Sequence, residues 1–88
     1  MKLKEGFVLR QVAGSWIVLP VGVASVDFNG MVSLNETGAL LWQALEKGAD
    51  TDALVDALTA EYEVERAEAA EGVEEFLATL RSVGCLEE

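Results

Sequence analysis

Histidine is missing from this chain, and cysteine occurs once, at Cys85. Without histidine the usual zinc sites, Ser-His-Asp triads and Cys-His dyads are excluded. A single thiol can neither close an internal disulfide nor supply a Cys-x-x-Cys metal knuckle. Cys85, between Gly84 and Leu86, therefore reads as a small buried hydrophobe. Proline also occurs once, at Pro20; it cannot donate to a ladder, so a strand should end there or leave that edge unpaired. Bases are scarce, six against sixteen acids, for a net charge of −10. Long apolar runs are absent too: none approaches the ~18 residues of a membrane span. The start, MKLKEGFVLR, has no long apolar stretch and no small-residue cleavage site, so a cytoplasmic protein is expected.

What remains is ample for folding. Hydrophobic residues make up 51% of the 88 positions, enough for one small domain over residues 1–88. Charge divides unevenly: residues 1–34 carry three bases and two acids, residues 35–88 three bases and fourteen acids. Such an acidic half repels phosphate backbones and anionic lipid headgroups, so neither nucleic acid nor membrane is an expected partner.

The hydrophobic period changes along the chain. Phe7–Val12 and Ser15–Pro20 are rich in β-formers around Ala13-Gly14, which reads as a hairpin. The stretch 21–28 is ambiguous and is read as one continuing strand with a glycine bulge at Gly22. Asn29-Gly30 is a tight-turn dipeptide leading into a short strand at Met31, Val32, Ser33 and Leu34. From Asn35 the period becomes helical. Leu41, Trp42 and Leu45 share a face ended by Lys47-Gly48, and Asp50 or Thr51 caps a second helix carrying Leu54, Val55, Leu58 and Tyr62. A third helix runs from about Glu65 to Val83, with Val73, Phe76, Leu77 and Leu80 at i, i+3, i+4 and i+7. Three or four short antiparallel strands followed by three helices is an α+β arrangement of winged helix-turn-helix type.

No catalytic constellation emerges. Glu74-Glu75 and Glu87-Glu88 lie in solvated acidic stretches, the glycines form no phosphate loop, and Asp50, Asp52 and Asp56 lack the rest of a calcium loop. No catalytic residue, metal ligand or cofactor is expected. Trp42 belongs to an apolar stripe and reads as core, whereas Trp16 alternates with Val18 and suits either core or ligand. Gly72 breaks the pattern of the third helix, where glycine costs about 1 kcal/mol relative to alanine; it reads as a tolerated surface glycine or as a deliberate opening of the helix surface. Its missing side chain would let another backbone approach beside Val73 and Phe76.

The segments LNETGALLWQAL, DTDALVDALTAEYEV and AEAAEGVEEFLATLRSVGCL together resemble the PqqD-like peptide chaperones, or RiPP recognition elements. The matching features are Leu34-Asn35-Glu36-Thr37, Leu41-Trp42, Glu61-Tyr62, Val73 with Phe76-Leu77, and Leu80, in that order. Glu65 stands where the family often has an aspartate cap, and Gly72 where it often has an acid. The stretch 21–30 is longer than in the pyrroloquinoline quinone chaperones, which points to a relative serving another peptide pathway. The resemblance implies a non-catalytic chaperone that binds a precursor's leader peptide by strand addition and presents it to a modifying enzyme, often a radical SAM maturase. It implies Met31, Val32, Ser33 and Leu34 as the strand edge, and Gly72, Val73, Phe76, Leu77 and Leu80 as the wall. Arg81 is implied as a partner for an acidic leader residue. The oligomeric state, monomer or dimer, stays open. The competing readings are a winged-helix DNA binder, for which Arg66 and Arg81 are outnumbered by acids on the same helix, and a protein-docking adaptor.

Overall fold

A computed structural model describes residues 2–21 and 32–87. The ambiguous stretch 21–28 after its first residue, the Asn29-Gly30 turn and Met31 lie outside those residues. Eight elements follow one another: β1 (Lys2–Leu3), β2 (Phe7–Val12), β3 (Ser15–Pro20), β4 (Val32–Leu34), α1 (Glu36–Glu46), α2 (Thr51–Glu61), α3 (Arg66–Val83) and β5 (Leu86–Glu87). An antiparallel sheet in the order β2-β3-β4 precedes the three helices, the α+β arrangement expected.

Local chemistry sets the element boundaries. Ala13 at φ 51° and Gly14 at φ 82° both adopt the left-handed backbone that a two-residue hairpin loop requires, which registers Val12 against Ser15 and Phe7 against Pro20. The strand stops at Pro20. At the next junction Asn35 stays extended while its Oδ1 accepts hydrogen bonds from the Gly38 N–H at 2.8 Å and the Thr37 hydroxyl at 2.9 Å, capping α1. Gly38 is there for space: a Cβ would meet the Leu34 Cβ and the Asn35 Oδ1, each at 3.2 Å. The strand can thus fold directly onto the first turn of the helix. Asn35→Ala removes both bonds and should cost about 1 kcal/mol, read as a melting temperature lowered by roughly 4–8 °C.

Asp50 caps α2 in the same way through the Ala53 N–H at 2.8 Å. Glu65 precedes α3 with no side-chain cap bond. Gly84 at φ 78° ends α3, and the Cys85 N–H turns back to the Leu80 carbonyl at 2.9 Å. Beyond it the chain forms a feature with no sequence signal: β5 pairs with β1, and the Lys4 N–H bonds the Cys85 carbonyl at 2.9 Å, so both ends of the described chain are tied together.

Val18 and Val32 face each other across β3 and β4 and bring the sheet into the core. Trp42, Leu41 and Leu45 fill it from α1; Leu54, Val55 and Leu58 from α2; Val73, Leu77 and Leu80 from α3. Trp16 is only half-buried. Cys85 is fully enclosed, and burial pushes its thiol pKa up, with nearby Lys4 opposing the shift. The folded chain therefore keeps this proton where the unfolded chain has lost it. The contribution is whole below about pH 8.5, the pKa of an unperturbed thiol, and declines as pH rises past it. Urea midpoints between pH 8 and 9.5 should fall more steeply for the native chain than for Cys85→Ala.

Candidate functional site

The order β2-β3-β4 leaves β4 with a single ladder partner among the described residues. Its register, Trp16 opposite Leu34, Ile17 opposite Ser33 and Val18 opposite Val32, points Val32 into the core. The exposed Ser33 and half-buried Leu34 reach a cleft instead. An edge of this kind offers backbone N–H and C=O groups to another extended chain.

The cleft has a volume of about 520 Å3 and lies between β4, the start of α1, the end of α2 and one face of α3. That size suits a few side chains of a ligand. Leu41 and Leu58 come up from the core as its floor. Tyr62 and Val64, in the link from α2 to α3, extend the apolar surface, and Val64 remains 37% exposed. From α3 comes a stripe of Glu68, Gly72, Glu75 and Thr79, beside the core-facing Ala69 and Phe76. A Cβ built at Gly72 meets nothing within 4 Å, so the glycine answers no packing need inside the molecule.

The residues expected at the site divide into groups. Ser33, Leu34, Gly72 and Phe76 are brought together around the cleft. Val32, Val73, Leu77 and Leu80 lie behind it: the last three are no more than 1% exposed, leaving their side chains no surface to offer. Arg81 is exposed near the end of α3 and does not line the cleft. Met31 is outside the described residues. Sequence reading missed Gly38, Leu41, Leu58, Tyr62, Val64, Glu68, and Glu75 with Thr79. A glycine in the first helical turn, the apolar Val64 within an acidic link, and a stripe one residue ahead of 69, 73, 76 and 80 were their available signals.

Among the described residues, charge in the cleft has one sign. Its charged lining residues are Glu68 and Glu75, both exposed. Arg66 turns the other way, donating from Nη1 to the Asp56 carboxylate on α2 at 2.7 Å, which raises the guanidinium pKa further. No group of three or more side chains that could hold a metal ion occurs among the described residues. Nor is any described helix long and apolar enough to cross a membrane.

Comparison with known proteins meets this geometry at its centre. The family model of coenzyme PQQ synthesis protein D (PqqD) matches residues 15–86, which include β4, the cleft and all three helices. No curated protein matches the chain. Among solved structures, TbiB1 in complex with the TbiA(beta) leader peptide is similar with a TM-score of 0.80 and 26% identity, over 99% of this chain and 95% of its own. A lasso peptide synthetase B1 complexed with the leader peptide is similar with a TM-score of 0.77 and 25% identity, over 99% of this chain and 96% of its own.

Proposed function

The chain belongs to the PqqD family, and from that premise we propose that it is a non-catalytic chaperone for the leader segment of a ribosomally made precursor peptide. Residues 1–88 work as one peptide-binding domain. The leader adds as a strand to the outer edge of β4, alongside Ser33 and Leu34, with Met31 and Val32 extending that edge. Its side chains on one face enter the cleft against Gly72 and Phe76. Val73, Leu77 and Leu80 hold that wall in position from the core side, and Arg81 flanks the far end. The bound precursor is then presented to a modifying enzyme such as a radical SAM maturase.

One observation carries the reading: a strand edge with no partner among the described residues and an apolar-floored cleft lie side by side. They do so in a fold shared with two proteins solved with leader peptides. Strand addition obtains affinity from main-chain hydrogen bonds and specificity from pockets for alternate side chains. Micromolar binding requires about 8 kcal/mol net, within reach of one or two buried anchors plus a few strand bonds. The acidic exposed face of α3 weighs against a phosphate backbone as ligand.

The direct experiment titrates the isotope-labelled chain with a synthetic leader from the precursor that co-purifies with it, following amide shifts. Shifts concentrated at residues 33–34 and 68–79 are expected; saturable binding that leaves both stretches unmoved would exclude this site.

A further inference from the structure

The charge of the cleft narrows what can fill it. Glu68 and Glu75 stand on either side of Gly72 along the same stripe of α3, and no basic residue lines the cleft among those described. On a helix rising 1.5 Å per residue, these acids lie about 6 Å before and about 4.5 Å after the glycine along the axis. An extended chain running beside α3 places same-face side chains about 6.6 Å apart. A side chain seated over Gly72 therefore has its neighbours at positions −2 and +2 close to the two carboxylates.

We infer that the cleft selects leader segments with an apolar anchor over Gly72 and a lysine or arginine two residues away, its charge met by Glu68 or Glu75. This rests on the leader-binding reading of the cleft and adds its specificity. An acidic side chain at the same positions faces two like charges on a chain whose net charge is already −10. Both glutamates are exposed, so each pair contributes modestly and is weakened by salt. Selection among leaders, more than raw affinity, is what such a rim provides.

The test pans a library of random twelve-residue peptides on the native chain and on the Glu68→Gln, Glu75→Gln double variant. Glutamine keeps both side chains' size, and thermal melting checks that the fold is retained. The native chain should enrich lysine or arginine two positions from a large apolar residue. The best such peptide should bind the double variant about two- to fivefold more weakly at low salt, with the gap closing near 1 M salt. Enriched peptides with no basic preference, or a preference unchanged in the double variant, would overturn this specificity while leaving the peptide site standing. If enriched peptides move no amides at 33–34 or 68–79, the peptide site itself falls, and the specificity with it.

Discussion

A leucine at position 72 should leave the fold intact and weaken peptide binding about five- to hundredfold. Gly72 sits within α3, more than a turn from either end, without the positive φ that would strain another residue. Replacing it with alanine adds a Cβ into open space and relieves the helix of glycine's conformational entropy. Gly72→Ala should therefore stabilise the free chain by about 0.5–1 kcal/mol. Gly72→Leu keeps most of that gain but carries its branched side chain into the cleft, where a bound strand would need the same volume. Forcing extra methylenes into a packed interface costs about 1–3 kcal/mol, and each 1.4 kcal/mol is a tenfold loss of affinity. Opposite signs are thus expected from two measurements on one variant: a higher urea midpoint, and leader affinity about fivefold or more weaker. Unchanged affinity in Gly72→Leu would mean that no ligand approaches this part of α3.

Those opposite signs also explain why the sequence exposed this part of the site. A glycine in a helix that otherwise keeps its apolar period has to be accounted for locally or by something outside the chain. The structure leaves no local account. Other features were legible for similar reasons. Ala13-Gly14 falls between two β-rich runs and takes the left-handed backbone such a loop demands. Asn35 and Asp50 cap the helices whose apolar stripes follow them. The β1–β5 ribbon was not legible, because strands of two residues carry no period. The division of α3 was only partly so: Val73, Phe76, Leu77 and Leu80 form one apolar arc, and sequence does not say which edge borders a neighbouring cleft. Phe76 is at that edge, and the other three are behind it. The cleft floor from the end of α2 depends on how three helices stack, which no local pattern encodes.

Trp42→Ala should be the most damaging single change to stability. Trp42 is the largest of the fully enclosed side chains, 1% exposed on α1, next to the Leu41 that floors the cleft. Truncating a buried tryptophan to alanine costs about 3–5 kcal/mol, because lost transfer energy and an incompletely collapsed cavity add together. At roughly 0.05–0.15 kcal/mol per residue, a chain this short has about 4–13 kcal/mol in all. The alanine variant should therefore lose between about a quarter and all of its stability at room temperature. Trp42→Phe is the informative companion. It keeps an aromatic ring in the same place, and the indole Nε1 that it deletes makes no hydrogen bond among the described residues. Its cost should be well below that of alanine, with leader affinity near the native value because Leu41 stays where it was. The alanine variant should bind weakly in proportion to its unfolded fraction, and saturating peptide should restore it: ligand at a hundred times its Kd stabilises a folded state by about 2.7 kcal/mol. A thermal midpoint of Trp42→Ala that peptide fails to raise would show that the cleft cannot form without the tryptophan beneath it.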